Sequence, residues 1–420
     1  MNQTTIKIAD RIFLTKIEDE KFKLSKFSIN MITPLKEETA TENALISYLM
    51  KNGCTKYPNQ TALNRYLGIL YGAVLESDVR KSGDNQIISL MAGGISDSYC
   101  IENESVTSKL AQLLCDVLLD PPAFTEENIN LEKEMLKDSI LSNINDKRSY
   151  AIDKAVKIAC ENEPFGICSL GQIEKLDKIT PETLLKSREN LLKTSAIEIV
   201  LCGNHFDEEI TQIFKKSFSN VSREGDFIPK TLRSPSSQLK TENEKMDVTQ
   251  TKLVIVLKSK TDVSNEDSTS LSVMNTLYGG GAYSKLFTNV REKMSLCYYC
   301  ASISDRLKGI IVVDCGTQHT DLEKAKNAII KEFENIKNGD FTDEELSNTK
   351  KSLVTSCRAV TDSVNGVMSW YLSNKLTGRN RTPQEEIVSI ENITRKEVVK
   401  MANNFEVSVI YSLIGSGEDD

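Results

Sequence analysis

The sequence predicts an α+β protein of two homologous domains, each a mostly antiparallel β-sheet packed with α-helices. Three observations carry this. Extended segments rich in Val, Ile and Phe alternate with helical apolar spacing along the 420 residues. The pattern then restarts after a polar, weakly periodic run from Ser219 to Val248 that holds Gly225, Pro229 and SPSSQLKTENEK. Finally, FTEENINLEKEML at 124 is echoed by FTDEELSNTKKSL at 341, 217 residues later. In both copies a Thr caps a helix, and the preceding Phe (Phe124, Phe341) is placed to pack on the N4 residue (Ile129, Leu346). Each copy follows a strand ending in Gly and an intervening helix, which reads as a duplicated unit. The domains are accordingly set at residues 1–220 and 248–420, with 221–247 as the linker.

In chain order, residues 5–35 read as two extended segments, IKIADRIFLTKI and FKLSKFSINMITPL, with the polar IEDEK as the turn. Thr39-x-x-Glu42 reads as a capping box opening a helix that buries Ala44, Leu45, Tyr48 and Leu49, and Asn52-Gly53 stops it. A second helix from about Asn59 to Tyr71 precedes strands around Val79 and from Ile87 to Leu90, ending at Gly93-Gly94. Two long helices, Val106 to Leu119 and Thr125 to Ile144, are separated by Asp120-Pro121-Pro122, which neither can cross. A loop at Glu163–Gly166, a helix after Thr180-Pro181, the strand Ile197 to Cys202 and a helix after His205 complete the first half. Beyond the linker, a strand at Leu253 to Leu257 leads to a helix capped by Ser264-x-x-Asp267. The stretch Leu277–Tyr299 follows, then a strand Ile310 to Cys315 ending at Gly316.

Composition excludes several classes. The 52 basic and 60 acidic residues give a net charge of −8 without a dense Lys/Arg block, so nucleic acid is not an expected partner. No apolar run approaches the roughly 18 residues needed to span a bilayer. The opening MNQTTIKIADRIFLTKIEDE has neither a signal h-region nor a transit pattern, and a cytoplasmic location is expected. Ten cysteines scattered through core-type segments such as LLCDVLL and IVLCG are expected to be reduced, small hydrophobes. Cys297 and Cys300 spell CxxC, but positions i and i+3 of a strand face opposite ways, so no chelation is expected without a bend.

The most informative stretch is LYGGGAYSKLFTNVREKMSLCYY, residues 277–299. A helix with Leu271, Met274 and Leu277 runs into Gly279, Gly280 and Gly281, where the backbone can turn sharply. A short helix should follow, with Leu286, Phe287 and Val290 inward, ending near Arg291 before a strand with Leu296, Tyr298 and Cys300. With PFGICSLGQIEKL and IEIVLCGNHFDEEI earlier in the chain, GGGAYSKLF and VREKMSLCYY make the sequence resemble the pitrilysin/insulinase family of zinc metallopeptidases. Its processing-peptidase-like branch of two-domain chains is the nearest match. The resemblance implies two homologous domains arranged as a half clamshell. It also implies that Arg291 and Tyr298, with Gly279 to Gly281, grip the substrate backbone beside the zinc. Taken alone, a cation at a helix end and a Tyr in a strand are also ordinary packing.

The metal motif itself is missing. A catalytic zinc needs three His, Cys or carboxylate ligands and an open position for water. The family supplies these from an inverted H-x-x-E-H on its first helix and a Glu on a later one. Matching that motif through the helix ending KNG puts the ligand positions at Ala44 and Tyr48 and the catalytic Glu at Ser47. The later ligand falls near Ser139 to Leu141, with Glu134 and Asp138 close by. Neither a metal nor a cofactor is therefore expected. The chain's two histidines, His205 and His319, lie in different halves at strand ends, no G-x-S-x-G elbow accompanies any Ser, and the triple glycine has no phosphate-loop context. The implied role is a non-catalytic subunit of a heterodimer, supplying Arg291 and Tyr298 in trans to a zinc-bearing homologous partner around a peptide or unfolded-protein substrate. The alternative is a peptide-binding scaffold of a modification pathway without protease activity.

Overall fold

The alternating apolar residues at the start of the chain form three strands, β1 (Asn2–Ala9), β2 (Ile12–Glu18) and β3 (Leu24–Pro34). The computed structural model describes residues 1–415 except 103, 226, 230, 232–237 and 264–266. The Ser264 cap position and part of the expected linker thus lie outside the described residues. Helices α1 (Ala40–Met50) and α2 (Gln60–Ile69) lead to strands β4 (Val74–Ser82) and β5 (Asn85–Ile95). Then come α3 (Val106–Leu119), α4 (Glu126–Asn145), α5 (Lys147–Ala159), α6 (Ile173–Leu176), α7 (Pro181–Thr194), β6 (Ala196–Gly203) and α8 (Glu208–Phe218). The second half runs β7 (Lys240–Met246), β8 (Thr251–Ser259), α9 (Ser268–Tyr278), a π-helix (Leu286–Lys293), β9 (Tyr299–Asp305) and β10 (Ile310–Thr317). It closes with α10 (Leu322–Asn338), α11 (Asp343–Val360), α12 (Val364–Thr377), α13 (Pro383–Asn392), α14 (Arg395–Asn403) and β11 (Phe405–Gly415).

The duplication is visible in the sheets. The first is ordered β1-β2-β6-β3-β5-β4 and the second β7-β11-β8-β10-β9. Without β1, the two orders correspond strand for strand, and each contains a single parallel pair at the same place, β2–β6 and β7–β11. The helices keep the 217-residue offset of the echo: α4 and α11 start at Glu126 and Asp343, α5 and α12 at Lys147 and Val364. Thr125 and Thr342 both cap as expected, accepting the N–H groups of Asn128 (3.2 Å) and Glu345 (3.1 Å).

Two compact units result. One comprises Met1–Leu141, Ile167–Lys230 and Thr361–Leu376, the other Ser142–Gly166, Thr231–Val360 and Thr377–Asp420. A single cut at 221–247 does not reproduce this division, because α5 groups with the second sheet and α12 with the first. Helix α5 presents the small Ala151, Ala155 and Ala159 to Val254, Val256 and Tyr411. Helix α12 lays Val367, Met368 and Tyr371 on Ile17, Val200 and Cys202, and the Tyr371 hydroxyl bonds to Thr15 Oγ1 at 2.5 Å. The expected linker also contains β7, whose KTENEKM pairs with β11. As a polar edge strand it carries no apolar alternation to read.

The main core of the first unit packs Leu110, Leu114 and Val117 of α3 with Ile210 and Phe214 of α8 on Phe27, Ile29, Ile199 and Leu201. Each such fully buried side chain contributes roughly 1.5–3 kcal/mol. Two local expectations fail here. Thr39 makes no side-chain cap bond: its backbone (φ −113, ψ −14) is helical rather than extended as a capping residue requires. Glu42, its expected box partner, accepts the Ser187 hydroxyl instead. The strand expected over Leu296–Cys300 begins only at Tyr299, since Ser295 adopts φ 54 and bends the chain first.

One buried acid on β6 makes stability depend on pH. Desolvation pushes the Glu198 carboxyl up to about 7, with Lys375 of α12 opposing, and its Oε2 has no hydrogen-bond partner. The folded-state value lies above the unfolded one, so the contribution is whole below about pH 4.5 and is lost as pH rises through about 7. Glu198→Gln should therefore stabilise the protein at pH 8 by up to about 3 kcal/mol and have little effect at pH 5. Urea unfolding at the two pH values measures this; equal stability of the two proteins at pH 8 would refute it.

Candidate functional site

Helix α1 carries Ala44, Ser47 and Tyr48, the positions that the family resemblance assigns to the metal motif. Ala44 is fully buried in a cluster with Leu45, Ile129, Leu136 and Ile140, where α4 crosses it. Ser47 is buried and its carbonyl accepts the Ser77 hydroxyl of β4 at 2.7 Å. Tyr48 donates its hydroxyl to Ser139 Oγ of α4 at 2.7 Å, and Ser139 passes its own proton to the Met135 carbonyl at 3.0 Å. Ser139 of α4 thus faces α1, and a Tyr–Ser hydrogen bond links the two helices. Glu134 and Asp138 are exposed on α4. The carboxylate that does turn inward is Glu132, which accepts Asn52 Nδ2 at 2.9 Å and leaves its Oε2 without a partner. A methyl group, three hydroxyls and one amide-bonded carboxylate do not fit zinc, which requires three strong ligands.

In the second unit, Gly279 ends α9 against β9. A Cβ there would meet Ser302 Oγ at 2.5 Å and Ser302 N at 2.7 Å, so it is this close approach that requires Gly. Ser302 N–H donates to the Gly279 carbonyl at 2.9 Å. Gly280 lies tight on Thr276, whereas Gly281 has open space around it. The π-helix then buries Leu286 and Val290, runs past Arg291 to Lys293 and hands over to the Ser295 bend.

Arg291 and Tyr298 come together at that bend. Arg291 Nε donates to the Tyr298 carbonyl at 2.9 Å, its guanidinium lies 4.7 Å from the Phe287 ring centroid, and Nη1 pairs with Glu292 at 3.1 Å. The Tyr298 side chain projects into solvent at 60% exposure, with its hydroxyl accepting Gln318 Nε2 at 3.2 Å. Two bonds to carbonyls fasten the segment: Tyr298 N–H donates to the Gly316 carbonyl (2.9 Å) and the Thr317 hydroxyl to the Leu296 carbonyl (2.5 Å). Strand β9 lies at the edge of its sheet. Its neighbourhood exposes several apolar side chains, Tyr283, Met294 and Ile303 among them.

A third grouping was not expected. Cys297, Cys300 and Cys315 bring their sulfur atoms within 4.8 Å of one another, the one such cluster of metal-ligating side chains among the described residues. The CxxC argument from strand alternation fails because Cys297 lies in the bend, while Cys300 faces Cys315 across the β9–β10 ladder. Hydrogen bonds from the Cys300 and Cys315 thiols, with Arg291 nearby, hold the Cys297 thiol well below its ordinary value, and both donors are pushed up. His205 pairs with Glu18 at 3.0 Å and with Asp207 at 3.4 Å on the surface, and His319 opens a short 3-10 turn after β10.

Residues 178–353 match the family model for the peptidase M16 inactive domain, M16 being the pitrilysin/insulinase family. The probable inactive metalloprotease YmfF of Bacillus subtilis is 28% identical over 405 residues, 95% of each chain. The uncharacterized zinc protease YmxG of the same organism is 25% identical over 315 residues, covering 73% of this chain and 76% of that one. A conserved protein from Enterococcus faecalis superposes over both full lengths with a TM-score of 0.91 and 26% identity. Among the described residues, no helix is long and apolar enough to cross a membrane.

Proposed function

We propose that this chain, an inactive homologue of the M16 metallopeptidases, is the non-catalytic subunit of a zinc-peptidase pair. It holds an extended peptide while Arg291 and Tyr298 act beside the zinc of a homologous partner. The observation that carries this reading is the joining of Arg291 to Tyr298 through the Nε–carbonyl bond, which sets an exposed phenol and a guanidinium on the surface where edge strand β9 begins. An extended peptide can add its main chain at a sheet edge. Because the Gly279 turn already occupies the Ser302 amide, the peptide meets this edge at its start, next to Tyr298. The α1–α4 contact supports the other half of the reading, since its Tyr48–Ser139 bond supplies neither a zinc ligand nor a base for water.

Reconstitution tests it. Mixed with a zinc-bearing homologue of similar length, the chain should form a one-to-one complex by light scattering, in the cytoplasmic setting that the proposal assumes. If it pairs with no such homologue while the lone chain still binds a labelled unfolded peptide, the scaffold alternative replaces this reading.

A further inference from the structure

We propose that Cys297, Cys300 and Cys315 form a binding site for a thiophilic d10 cation, Zn2+ or Cu+. Three sulfurs from two strands and a bend already lie within 4.8 Å of one another. Metal–sulfur bonds of about 2.3 Å place thiolates roughly 3.7–4.0 Å apart around a common ion. Closing that difference needs side-chain rotation rather than backbone movement. The backbone is also held in place: Cys300 and Cys315 are register partners. Cys297 is flanked by the Thr317–Leu296 and Tyr298–Gly316 hydrogen bonds, so both sides of the bend are tied to β10 or its end.

The ligand chemistry selects the ion class. Thiolate-only sites favour Zn2+ and Cu+ over hard cations such as Mg2+ or Ca2+. Binding deprotonates the thiols and releases their protons to water. Cys300 and Cys315 are buried, whereas Cys297 is half-buried, so an ion enters from the Cys297 side. Cu+ is satisfied by three sulfurs in a plane; Zn2+ takes a fourth ligand, water, from that open side. Either ion would stiffen the bend carrying Tyr298.

The full-length chain, reduced with a phosphine, is titrated in two arms: Co2+ as the optical stand-in for Zn2+, and Cu+ in competition with a chromophoric Cu+ chelator. The expected result is one equivalent per chain in at least one arm, with thiolate-to-metal charge-transfer absorption. Cys297→Ser should weaken binding by at least roughly a hundredfold, and Cys168→Ser, an exposed thiol elsewhere, should not change it. A fold-independent readout uses the unmodified protein: bound metal should slow iodoacetamide labelling of Cys297 but not of Cys168. Failure of both ions to bind, binding indifferent to Cys297→Ser, or formation of a disulfide as the sole reaction of the cluster would each overturn the proposal.

Discussion

Arg291→Ala and Tyr298→Phe should each lower the kcat/KM of the reconstituted pair by roughly ten- to a thousand-fold, the range for losing one transition-state donor. Hydrogen bonds to the scissile carbonyl strengthen as it gains charge, so their loss slows turnover instead of merely weakening capture. Tyr298→Phe is the cleaner change. It keeps the ring and removes one exposed hydroxyl that accepts from Gln318, so the fold loses little. Arg291→Ala also gives up the bond to the Tyr298 carbonyl and the contact with Phe287, which loosens the bend locally. Pair formation by light scattering should persist in both variants, because Leu286 and Val290, not these two residues, bury the apolar face of the π-helix. Both variants assembling and turning over at the unmodified rate would remove the in-trans role.

The triple variant Ala44→His, Ser47→Glu and Tyr48→His should still hydrolyse no peptide when supplied with zinc. The residue that Tyr48 meets on α4 is Ser139, whose hydroxyl is no substitute for a third strong ligand, and new imidazoles would also need partners to orient them. The variant should also be less stable by on the order of 3–6 kcal/mol. Ala44 has no room for an imidazole, and overpacking typically costs about 1–3 kcal/mol. A carboxylate at the buried position 47 must be desolvated without a prepared partner, and the Tyr48–Ser139 bond is lost. Zinc-dependent cleavage by this variant, followed with a quenched fluorescent peptide, would show the site to be far closer to active than its geometry indicates.

The FTEEN/FTDEE echo was the most legible feature of the sequence, because a Phe-Thr helix start encodes its own position: the same offset recurs from α4–α11 to α5–α12. What the sequence hid was partnership. Ala151, Ala155 and Ala159 mark a helix face that fits closely on a sheet, but nothing in their spacing says which sheet. Strand β7 was hidden by its polar edge composition. The thiol cluster was concealed by where the strand starts: the i, i+3 rule assumes a continuous strand from Cys297 to Cys300, and β9 begins only at Tyr299. A usable signal was present, since a hairpin turning between Asp305 and Ile310 sets Cys300 opposite Cys315. The Tyr48–Ser139 hydrogen bond was not legible either: the family motif placed the later ligand only near Ser139 to Leu141, and nothing in the residue types says that a Tyr hydroxyl would reach it.

The measurement that bears most directly on a role in trans is the kcat/KM of a zinc-bearing homologue on an unfolded peptide, followed as this chain is added. The account predicts a rise that saturates at one chain per partner and is largely lost when the added chain carries Tyr298→Phe. A partner fully active alone, with a rate unchanged by excess of this chain, would contradict it.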